Sequence, residues 1–302
     1  MKLLVVGSVA FDSVKTPFGQ VENALGGSGT FFSTSASFFT EVALVAVVGE
    51  DFPEEHIDFL KSRKIDVTGL ERISGKTFRW KGKYTYQLNE AHTLDTQLNV
   101  FQNFKPKLPK SYKDCPIVFL ANIDPNLQRE VLKQVSKPKL VACDTMNFWI
   151  SNKKAELIET LRLVDILIIN DGEARELSKE TNLVKAATMI RALGPKTLII
   201  KRGEHGVALF DKQGIFAAPA YPLESVFDPT GAGDTFAGGF MGYLSKTMKF
   251  NHDNLRKAII FGSVMASFNV EDFSLNRLKK LTFKEVERRY KSFRKLTHFD
   301  DL

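Results

Sequence analysis

The sequence predicts an α/β fold, with a mostly parallel central sheet, helices on both of its faces, and a small lid built from β-strands. Short apolar runs alternate with amphipathic stretches along most of the 302 residues, an order typical of parallel strands connected by helices. The runs are apolar at odd and even positions alike, as expected for strands covered on both faces. Residues 75–101 differ, because polar and apolar residues alternate there as in half-exposed strands.

The central sheet is predicted from the short apolar runs. The predicted strands lie at residues 3–7, 43–48, 117–121, 140–143, 166–169, 198–200, 207–210 and 215–217. Helices are predicted where apolar residues recur at spacings of three and four, at residues 54–63, 127–135, 154–161 and 186–193. No Pro-rich or Ser-rich linker interrupts the series, so we expect a single α/β domain over residues 1–302.

The lid is predicted from two segments, at about residues 11–21 and 75–101. The second segment carries aromatic residues at even positions, namely Phe78, Trp80, Tyr84 and Tyr86. Residues two apart lie on the same face of a strand, and nothing nearby in the sequence would bury this face. We therefore expect a small antiparallel flap that closes over a ligand or pairs with a second subunit.

Composition and charge exclude several classes of protein. An apolar fraction of 43% with 25% charged residues is ordinary for a globular domain, so wholesale disorder is excluded. The sequence shows no apolar run of membrane-spanning length and no signal-peptide pattern, so we expect a cytoplasmic protein that does not bind membranes. Much of the net charge of +7 lies within residues 277–291, in a helical rhythm typical of a solvated helix face. We therefore expect no binding to nucleic acid.

Residues 228–240, with the sequence DPTGAGDTFAGGF, carry the clearest chemical signal. Gly231 and Gly233 can adopt backbone angles closed to other residues, so successive amides can point into one concavity. A glycine-rich turn that leads into a helix forms an anion hole from free amides and the helix dipole. Asp234 stands at its edge. It could accept a proton from an attacking hydroxyl group, or it could simply cap the helix.

The same segment resembles, almost letter for letter, the carboxy-terminal signature of the ribokinase-like (PfkB) carbohydrate kinase family. Other features match the family in order along nearly the whole chain. They are Gly7-Ser8 followed by Asp12, the pair Gly26-Gly27 before a helix, Asn170-Asp171-Gly172-Glu173 after a strand, and residues 198–206 (LIIKRGEHG). The resemblance implies a ribokinase-like fold and an ATP-dependent kinase that phosphorylates a hydroxymethyl group of a sugar or nucleoside.

The resemblance also implies catalytic roles for four residues. Asp234 would be the general base that takes the proton of the acceptor alcohol. Gly231, Ala232 and Gly233, with the Asp234 amide, would form the anion hole that holds the charge of the transferred phosphoryl group.

Acceptor binding is expected from residues near the amino terminus and after a middle strand. By resemblance, Asp12 would accept hydrogen bonds from substrate hydroxyls, and Gly26 and Gly27 would let the backbone approach the sugar. A turn after the first strand and a plain loop are the structural alternatives. Asn147 follows a strand at the edge where open α/β sheets bind ligands, so we expect it to contact substrate or phosphate, unless it is only a loop amide.

Nucleotide and metal binding are likewise implied by the resemblance. Lys201, Gly203 and Gly206 would lie beside ATP, although the same residues could form an ordinary hairpin turn. Asn170 and Glu173 would organise Mg²⁺ and its water ligands, or merely start a helix with an acidic first turn. The resemblance leaves open whether a monovalent cation such as K⁺ assists, and it implies that lids can join two subunits into a homodimer.

Two features depart from the family pattern. Phe31 occupies a position where the family commonly has a sugar-binding asparagine, and Phe32 follows it. A phenyl ring can stack on a flat or apolar group but cannot hydrogen-bond a hydroxyl, which favours a nucleoside or another substituted substrate over ribose. The adenine-side loop could not be located within residues 258–273. A catalytically silent ligand-binding or regulatory protein on the same fold is the alternative function.

Overall fold

A computed structural model of the chain describes residues 2–298. The strands are β1 (Lys2–Val6), β2 (Ala10–Thr16), β3 (Gly19–Gly26), β4 (Glu41–Gly49), β5 (Ile65–Ile73), β6 (Phe78–Tyr84), β7 (Ala91–Gln97), β8 (Ile117–Leu120), β9 (Leu140–Cys143), β10 (Ile166–Asn170), β11 (Thr197–Lys201), β12 (Val207–Asp211) and β13 (Gly214–Ala218). The α-helices are α1 (Ser28–Ala36), α2 (Glu54–Ser62), α3 (Pro125–Leu132), α4 (Asn147–Asn152), α5 (Lys154–Leu161), α6 (Asp171–Ser178), α7 (Leu183–Arg191), α8 (Ala232–Thr247), α9 (His252–Asn269), α10 (Asn276–Lys280) and α11 (Phe283–Thr297).

The larger sheet has the strand order β13-β12-β11-β10-β9-β8-β1-β4-β5 within the described residues. All neighbours from β11 to β5 are parallel, and β12 and β13 add an antiparallel edge. Strands β8 and β9 are buried at every position, as runs that are apolar at both parities require. The predicted α/β fold is confirmed.

Helices cover both faces of this sheet. On β1, Leu3 and Val5 belong to a core that includes residues of α1, α8, α9 and α11. Leu4 and Val6 point to the other face and belong to a core with residues of α3, α5, α6 and α7. The alternation of strand side chains thus divides the apolar residues between two layers of helices.

The smaller sheet is the lid, defined here as strands β3, β2, β6 and β7 in that spatial order. The pairs β2–β3 and β6–β7 are antiparallel hairpins, and β2 and β6 run parallel in the middle. The lid therefore takes its strands from residues 10–26 and 78–97. Strand β7 is exposed along its whole length, which leaves one edge of the lid open to solvent.

Strand β5 was not predicted from the sequence. It lies at an edge of the larger sheet and pairs with β4 through a register shift between Ala43 and Val45. Most of its side chains are exposed or half-buried, so no apolar run marks it. Gly69, near its middle, adds no apolar side chain, and its backbone N–H donates to the hydroxyl of Tyr112 at 3.2 Å.

The helices follow the predicted periodicity with small shifts at their ends. Helix α5 has the predicted bounds, whereas α3 and α7 begin and end a few residues before the predicted positions. Helix α9 takes up most of residues 258–273, where the adenine-side loop had been sought. Over residues 2–298, no helix combines the length and apolar character needed to cross a membrane.

Candidate active site

Polar residues meet where the parallel strands of the larger sheet end. Asp144 directly follows β9, Asn170 is the last residue of β10, and Lys201 is the last residue of β11. Asn170 and Lys201 are also register partners. Open α/β sheets bind ligands at this edge, and helix α8 brings its amino end to the same place, because the Lys201 side chain reaches Gly233.

The predicted anion hole lies at the amino end of α8. Gly231 is the N-cap residue, with a φ of 73° that side chains other than glycine disfavour. A Cβ at Gly231 would also collide with the Phe31 ring. The Ala232 N–H donates to the Pro229 carbonyl at 3.1 Å, so a ligand would compete with that bond. The first-turn amides that follow are the free donors that an anion needs.

Asp234 lies in the first turn of α8 but does not cap it, since the N-cap is Gly231. Burial raises the pKa of Asp234 to about 6, and the ammonium group of Lys201 opposes this rise. A carboxyl group with this pKa is charged at neutral pH, yet it is basic enough to accept a proton.

Asp144 and Glu173 are buried, and together with the half-buried Lys201 they form a charged cluster next to Asp234. Burial raises the pKa of Asp144 well above its ordinary value; Asp234 adds to the rise, and Lys201 opposes it. Burial also raises the pKa of Glu173, again opposed by Lys201. Among the described residues, Asp144 Oδ1 is buried and has no hydrogen-bond partner. A buried carboxylate oxygen without a partner is unfavourable, so this atom indicates a ligand.

Asn170 and Glu173 form a capping box at the start of α6. Asn170 Oδ1 accepts a hydrogen bond from the Glu173 N–H, and Glu173 Oε2 accepts one from the Asn170 N–H, both at 2.7 Å. The helix-start alternative is therefore realised. The box also holds the Glu173 carboxyl group close enough to interact electrostatically with Lys201 and Asp234.

Asp12, Gly26 and Gly27, which were predicted to bind the acceptor, lie together. The Gly27 N–H donates to Asp12 Oδ2 at 3.3 Å, and the Asp12 carboxylate fills the space that a Cβ at Gly26 would need. Burial raises the pKa of Asp12 to about 7, and the charges of Asp228 and Asp234 add to the rise. This electrostatic interaction brings the predicted acceptor residue and the predicted base into one site.

Two aromatic residues of the lid relate it to this site, Trp80 by sharing a face with Asp12 and Tyr84 by direct contact. Trp80 on β6 is the register partner of Asp12 on β2, so both side chains point to the same side of the lid. At the end of β6, the Tyr84 hydroxyl accepts a hydrogen bond from Thr230 Oγ1 at 3.3 Å. Tyr86, in contrast, is 86% exposed, because β6 ends before it.

Three predicted residues lie farther along the sheet edge. Gly203 and Gly206 have φ values of 53° and 84° in the turn between β11 and β12. A Cβ at Gly203 would collide with Asn89 of the lid, and one at Gly206 with the backbone after β13. Asn147 is the exposed first residue of α4. Lys201, Gly203 and Gly206 were predicted to bind the nucleotide. Lys201 contacts the anion hole at Gly233, whereas the contacts of Gly203 and Gly206 lie elsewhere.

Phe31 and Phe32 do not present rings to a ligand. Phe31 is 2% exposed and lies against Gly231, and Phe32 stacks on Phe119 with their ring centroids 4.3 Å apart. Neither ring can stack on a flat substrate. The prediction that Phe31 and Phe32 favour a nucleoside by stacking was therefore wrong. Their role is to support the anion hole and the sheet from the core.

Asp144 and Tyr84 were not singled out from the sequence as site residues. The signal for Asp144 was its place directly after a buried strand, which had directed attention to Asn147 three residues later. Tyr84 was recognised as part of an aromatic face, but its bond to Thr230 depends on where the lid folds relative to α8. No local pattern in the sequence records that distance.

The cluster fits the phosphates of a nucleotide and a magnesium ion. No group of three or more His, Cys, Asp or Glu side chains within residues 2–298 is arranged to hold a metal alone. Magnesium, however, binds through few protein oxygens and keeps several water ligands, and Asp144 and Glu173 supply such oxygens. Lys201 and the first-turn amides of α8 supply positive charge for phosphate.

Comparisons with known proteins identify the family of the chain. The model of the pfkB family of carbohydrate kinases matches residues 2–280. A cytidine kinase of Thermococcus kodakarensis is 31% identical over 256 residues, which cover 82% of this chain and 89% of that protein.

Solved structures show the same fold. The nucleoside kinase of Methanocaldococcus jannaschii superimposes with a TM-score of 0.77 at 21% identity, covering 96% of this chain and 98% of that one. The aminoimidazole riboside kinase of Salmonella enterica, complexed with aminoimidazole riboside and an ATP analogue, gives 0.76 at 19% identity, with 96% and 100% covered. With its sequence matched from residue 2 to residue 280 and its fold shared with these kinases, the chain belongs to the pfkB family of carbohydrate kinases.

Proposed function

We propose that this phosphotransferase moves the γ-phosphoryl group of ATP to a hydroxymethyl group of a nucleoside, and that a free sugar is the second candidate acceptor. The observation that carries the proposal is the position of Asp234, a carboxyl group with a pKa of about 6 beside Lys201 at the anion hole. The similar proteins named above include a cytidine kinase and a nucleoside kinase, and they favour a nucleoside.

In the proposed reaction, the acceptor oxygen forms a bond to the γ-phosphorus while the bond from that phosphorus to the ADP oxygen breaks. Asp234 accepts the proton that the acceptor hydroxyl loses. Phosphoryl transfer needs little covalent help from a protein, so alignment and charge stabilisation provide most of the rate. The position of Asp234 in the first turn of α8 supports this role, and Lys201 favours its charged form.

The developing phosphoryl charge would be held by the anion hole. The amides of Gly231, Ala232, Gly233 and Asp234 lie at the positive end of the α8 dipole, and the Lys201 ammonium group adds a full charge. Such fixed donors stabilise charge without reorganising during the reaction.

The acceptor would bind between Asp12 and the anion hole. Asp12 is buried and already orients one oxygen through Gly27, which leaves carboxylate capacity for a substrate hydroxyl. Gly26 and Gly27 allow the close approach, and Trp80 of the lid would cover the acceptor. Asn147 is proposed as a further contact at the edge of the site.

Gly203 and Gly206 are proposed to border the nucleotide, with Lys201 at its phosphates. Glu173, oriented by Asn170, and Asp144 would hold a Mg²⁺ ion with its water ligands, and the ion would neutralise phosphate charge. Activation by a monovalent cation such as K⁺ remains a prediction, tested by replacing K⁺ with choline in the assay.

We further propose that residues 1–302 form one catalytic unit that acts in the cytoplasm and pairs with a second copy through the exposed edge of its lid. A catalytically silent binding protein is the competing function. Such a protein would have no need for a base with a raised pKa beside an anion hole.

The test is to incubate the purified protein with ATP, Mg²⁺ and a matched panel of nucleosides and free sugars, and to measure phosphorylated product. We expect turnover with at least one nucleoside and a lower kcat/KM for every sugar. Turnover with sugars but not nucleosides would contradict the nucleoside assignment. Binding without any turnover would favour the silent protein.

A further inference from the structure

A polar contact attaches the lid to the anion-hole turn. Thr230 Oγ1 donates a hydrogen bond to the Tyr84 hydroxyl at 3.3 Å, and Thr230 directly precedes Gly231, the N-cap of α8. Tyr84 is the last residue of β6. The contact therefore connects the end of a lid strand to the residue that sets the start of the anion hole.

Thr230 is held firmly on its other sides. Its N–H donates to Asp228 Oδ1 at 2.9 Å, and its carbonyl accepts from Asn269 Nδ2 at 2.8 Å. Asn269 Oδ1 in turn accepts from the Thr235 hydroxyl at 3.1 Å. These bonds connect the turn to α8 and α9, so the bond to Tyr84 attaches the end of β6 to the same two helices.

The raised pKa of Tyr84 leaves its hydroxyl protonated at neutral pH. Burial raises the pKa of Tyr84 to about 12; the Thr230 bond opposes the rise, while the charges of Asp228, Asp12 and Asp234 add to it. A phenol that accepts one hydrogen bond still has its own O–H to donate. Tyr84 therefore offers a permanent donor in the region of these carboxylates.

Two of these carboxylates already accept hydrogen bonds from the backbone. Asp228 accepts from the Thr230 N–H and from the Ser274 N–H at 3.1 Å, and Asp12 Oδ2 accepts from the Gly27 N–H. The space between Asp12 and Asp234 is where the proposed acceptor has to lie. An oxygen of an acceptor bound in that space can accept the Tyr84 proton.

A second contact shows that the lid spans the site in this conformation. Asn89, in the turn between β6 and β7, occupies the space beside Gly203. The hairpin thus reaches from the anion-hole turn to the turn between β11 and β12.

We infer that Tyr84 is a positioning residue for the acceptor, because its oxygen is fixed by Thr230 and its proton is donated to a hydroxyl or ring oxygen of the acceptor. Lid closure and recognition of the acceptor are then one event. The inference rests on the proposed function, since it assigns a contact to the acceptor of that reaction.

The test compares Tyr84→Phe with wild type, using the acceptor that wild type phosphorylates best and its monodeoxy analogues. Loss of one hydrogen bond should raise the acceptor KM by about 3- to 10-fold, with little change in the KM for ATP. ATP hydrolysis without acceptor should rise relative to transfer, because a loosened lid admits water. With the analogue that lacks the contacted oxygen, the two proteins should have the same KM. A penalty of equal size with every analogue would overturn the contact, as would an unchanged KM for the full acceptor.

Thr230→Val tests the other half of the arrangement. The double variant with Tyr84→Phe should have an acceptor KM no higher than that of the worse single variant, because the two groups act as one unit. If the increase in acceptor KM of the double variant equals the product of the two single increases, the two groups act independently and the arrangement is contradicted. Tyr86→Phe, exposed and two residues further on, is the matched control and should keep wild-type values.

Hydrogen exchange separates this inference from the proposed function. Amides of residues 78–97 should exchange several-fold faster in Tyr84→Phe than in Tyr86→Phe, whether or not an acceptor has been identified. Equal exchange would overturn the attachment of the lid. A wild-type protein with no turnover on any acceptor would instead contradict the proposed function, and with it the acceptor contact.

Discussion

Lys201 Nζ lies 2.7 Å from the position that a Cβ atom would occupy at Gly233. Lys201 ends strand β11 and Gly233 lies in the first turn of helix α8, so the sheet and the helix contribute positive charge to the same point. The absence of a side chain at Gly233 is what lets the ammonium group reach the anion hole. The pair therefore joins the nucleotide side of the site to the proposed base.

Gly233→Ala should lower kcat by roughly 10- to 100-fold, because the methyl group would push the ammonium group away from the transferred phosphoryl group. The fold should tolerate the change, since the displaced atom is the end of a flexible side chain. Alanine also favours a helix over glycine by about 0.5–1 kcal/mol. Steady-state kinetics and a thermal melt of the same sample measure both effects.

Gly231→Ala is the matched comparison for that variant. Its φ of 73° and the Phe31 ring against it should make this substitution destabilising, with a lower melting temperature. Wild-type kcat in Gly233→Ala, or equal destabilisation by the two substitutions, would refute the role given to the space at Gly233.

The pH dependence of kcat/KM should show the ionisation of Asp234. Burial raises the pKa of this group to about 6, and a base must be deprotonated to accept a proton. Activity should therefore rise with pH through this value and be about tenfold lower at pH 5 than on the plateau above pH 7. The residual activity of Asp234→Asn should not rise with pH in this range. That comparison shows whether the rise comes from Asp234 or from the ionisation of ATP, which is the same for both proteins. If both proteins show the same pH profile, the rise in activity is caused by a group other than Asp234.

Asp12→Asn should stabilise the protein above pH 7. The pKa of Asp12 is raised from 3.8 to about 7, so the folded chain binds more protons than the unfolded chain between those values. The free energy of unfolding then falls as pH rises through this window, by roughly 2–4 kcal/mol for one such group. The variant should be more stable at pH 8, similar at pH 4, and poorer in acceptor KM. Urea unfolding at the two pH values checks this, and a stability gain of the same size at both would rule out the charge as its cause.

Glu173→Gln should raise the Mg²⁺ concentration needed for half-maximal activity by about tenfold or more. Glutamine can still accept the Asn170 N–H bond, so the capping box and the melting temperature should be kept. Glu176→Gln, one turn along α6, serves as the control and should leave the Mg²⁺ titration unchanged. Identical titrations for Glu173→Gln and wild type would show that Glu173 only caps its helix.

The fold could be predicted because a buried strand is recognisable from its own residues as a short apolar run. Strands such as β8 and β9 are apolar at every position, since they are covered on both faces, and they were located to within a residue or so. Strand β5 is exposed at the sheet edge and carries Gly69, so its residues are not distinguished from a loop.

The site could be predicted where glycines and charges form a motif, and not where distant elements meet. Asp234, Lys201 and Asp12 were named from the sequence, and the structure brings them together. Phe31 was wrongly predicted to stack on a substrate. It is buried against Gly231, which is 200 residues away in the chain, and no residue near Phe31 indicates that contact. Tyr84 was missed as a site residue for the same reason, because its partner Thr230 lies on another element.

The most direct test of the account is the rate of phosphoryl transfer by Asp234→Asn, measured with saturating acceptor beside a separate measurement of ATP affinity. The account predicts a kcat lower by roughly 10²- to 10⁴-fold, an ATP affinity close to that of wild type, and an unchanged melting temperature or a higher one. A purified Asp234→Asn protein that transfers phosphate at nearly the wild-type rate would contradict the assignment of Asp234 as the base.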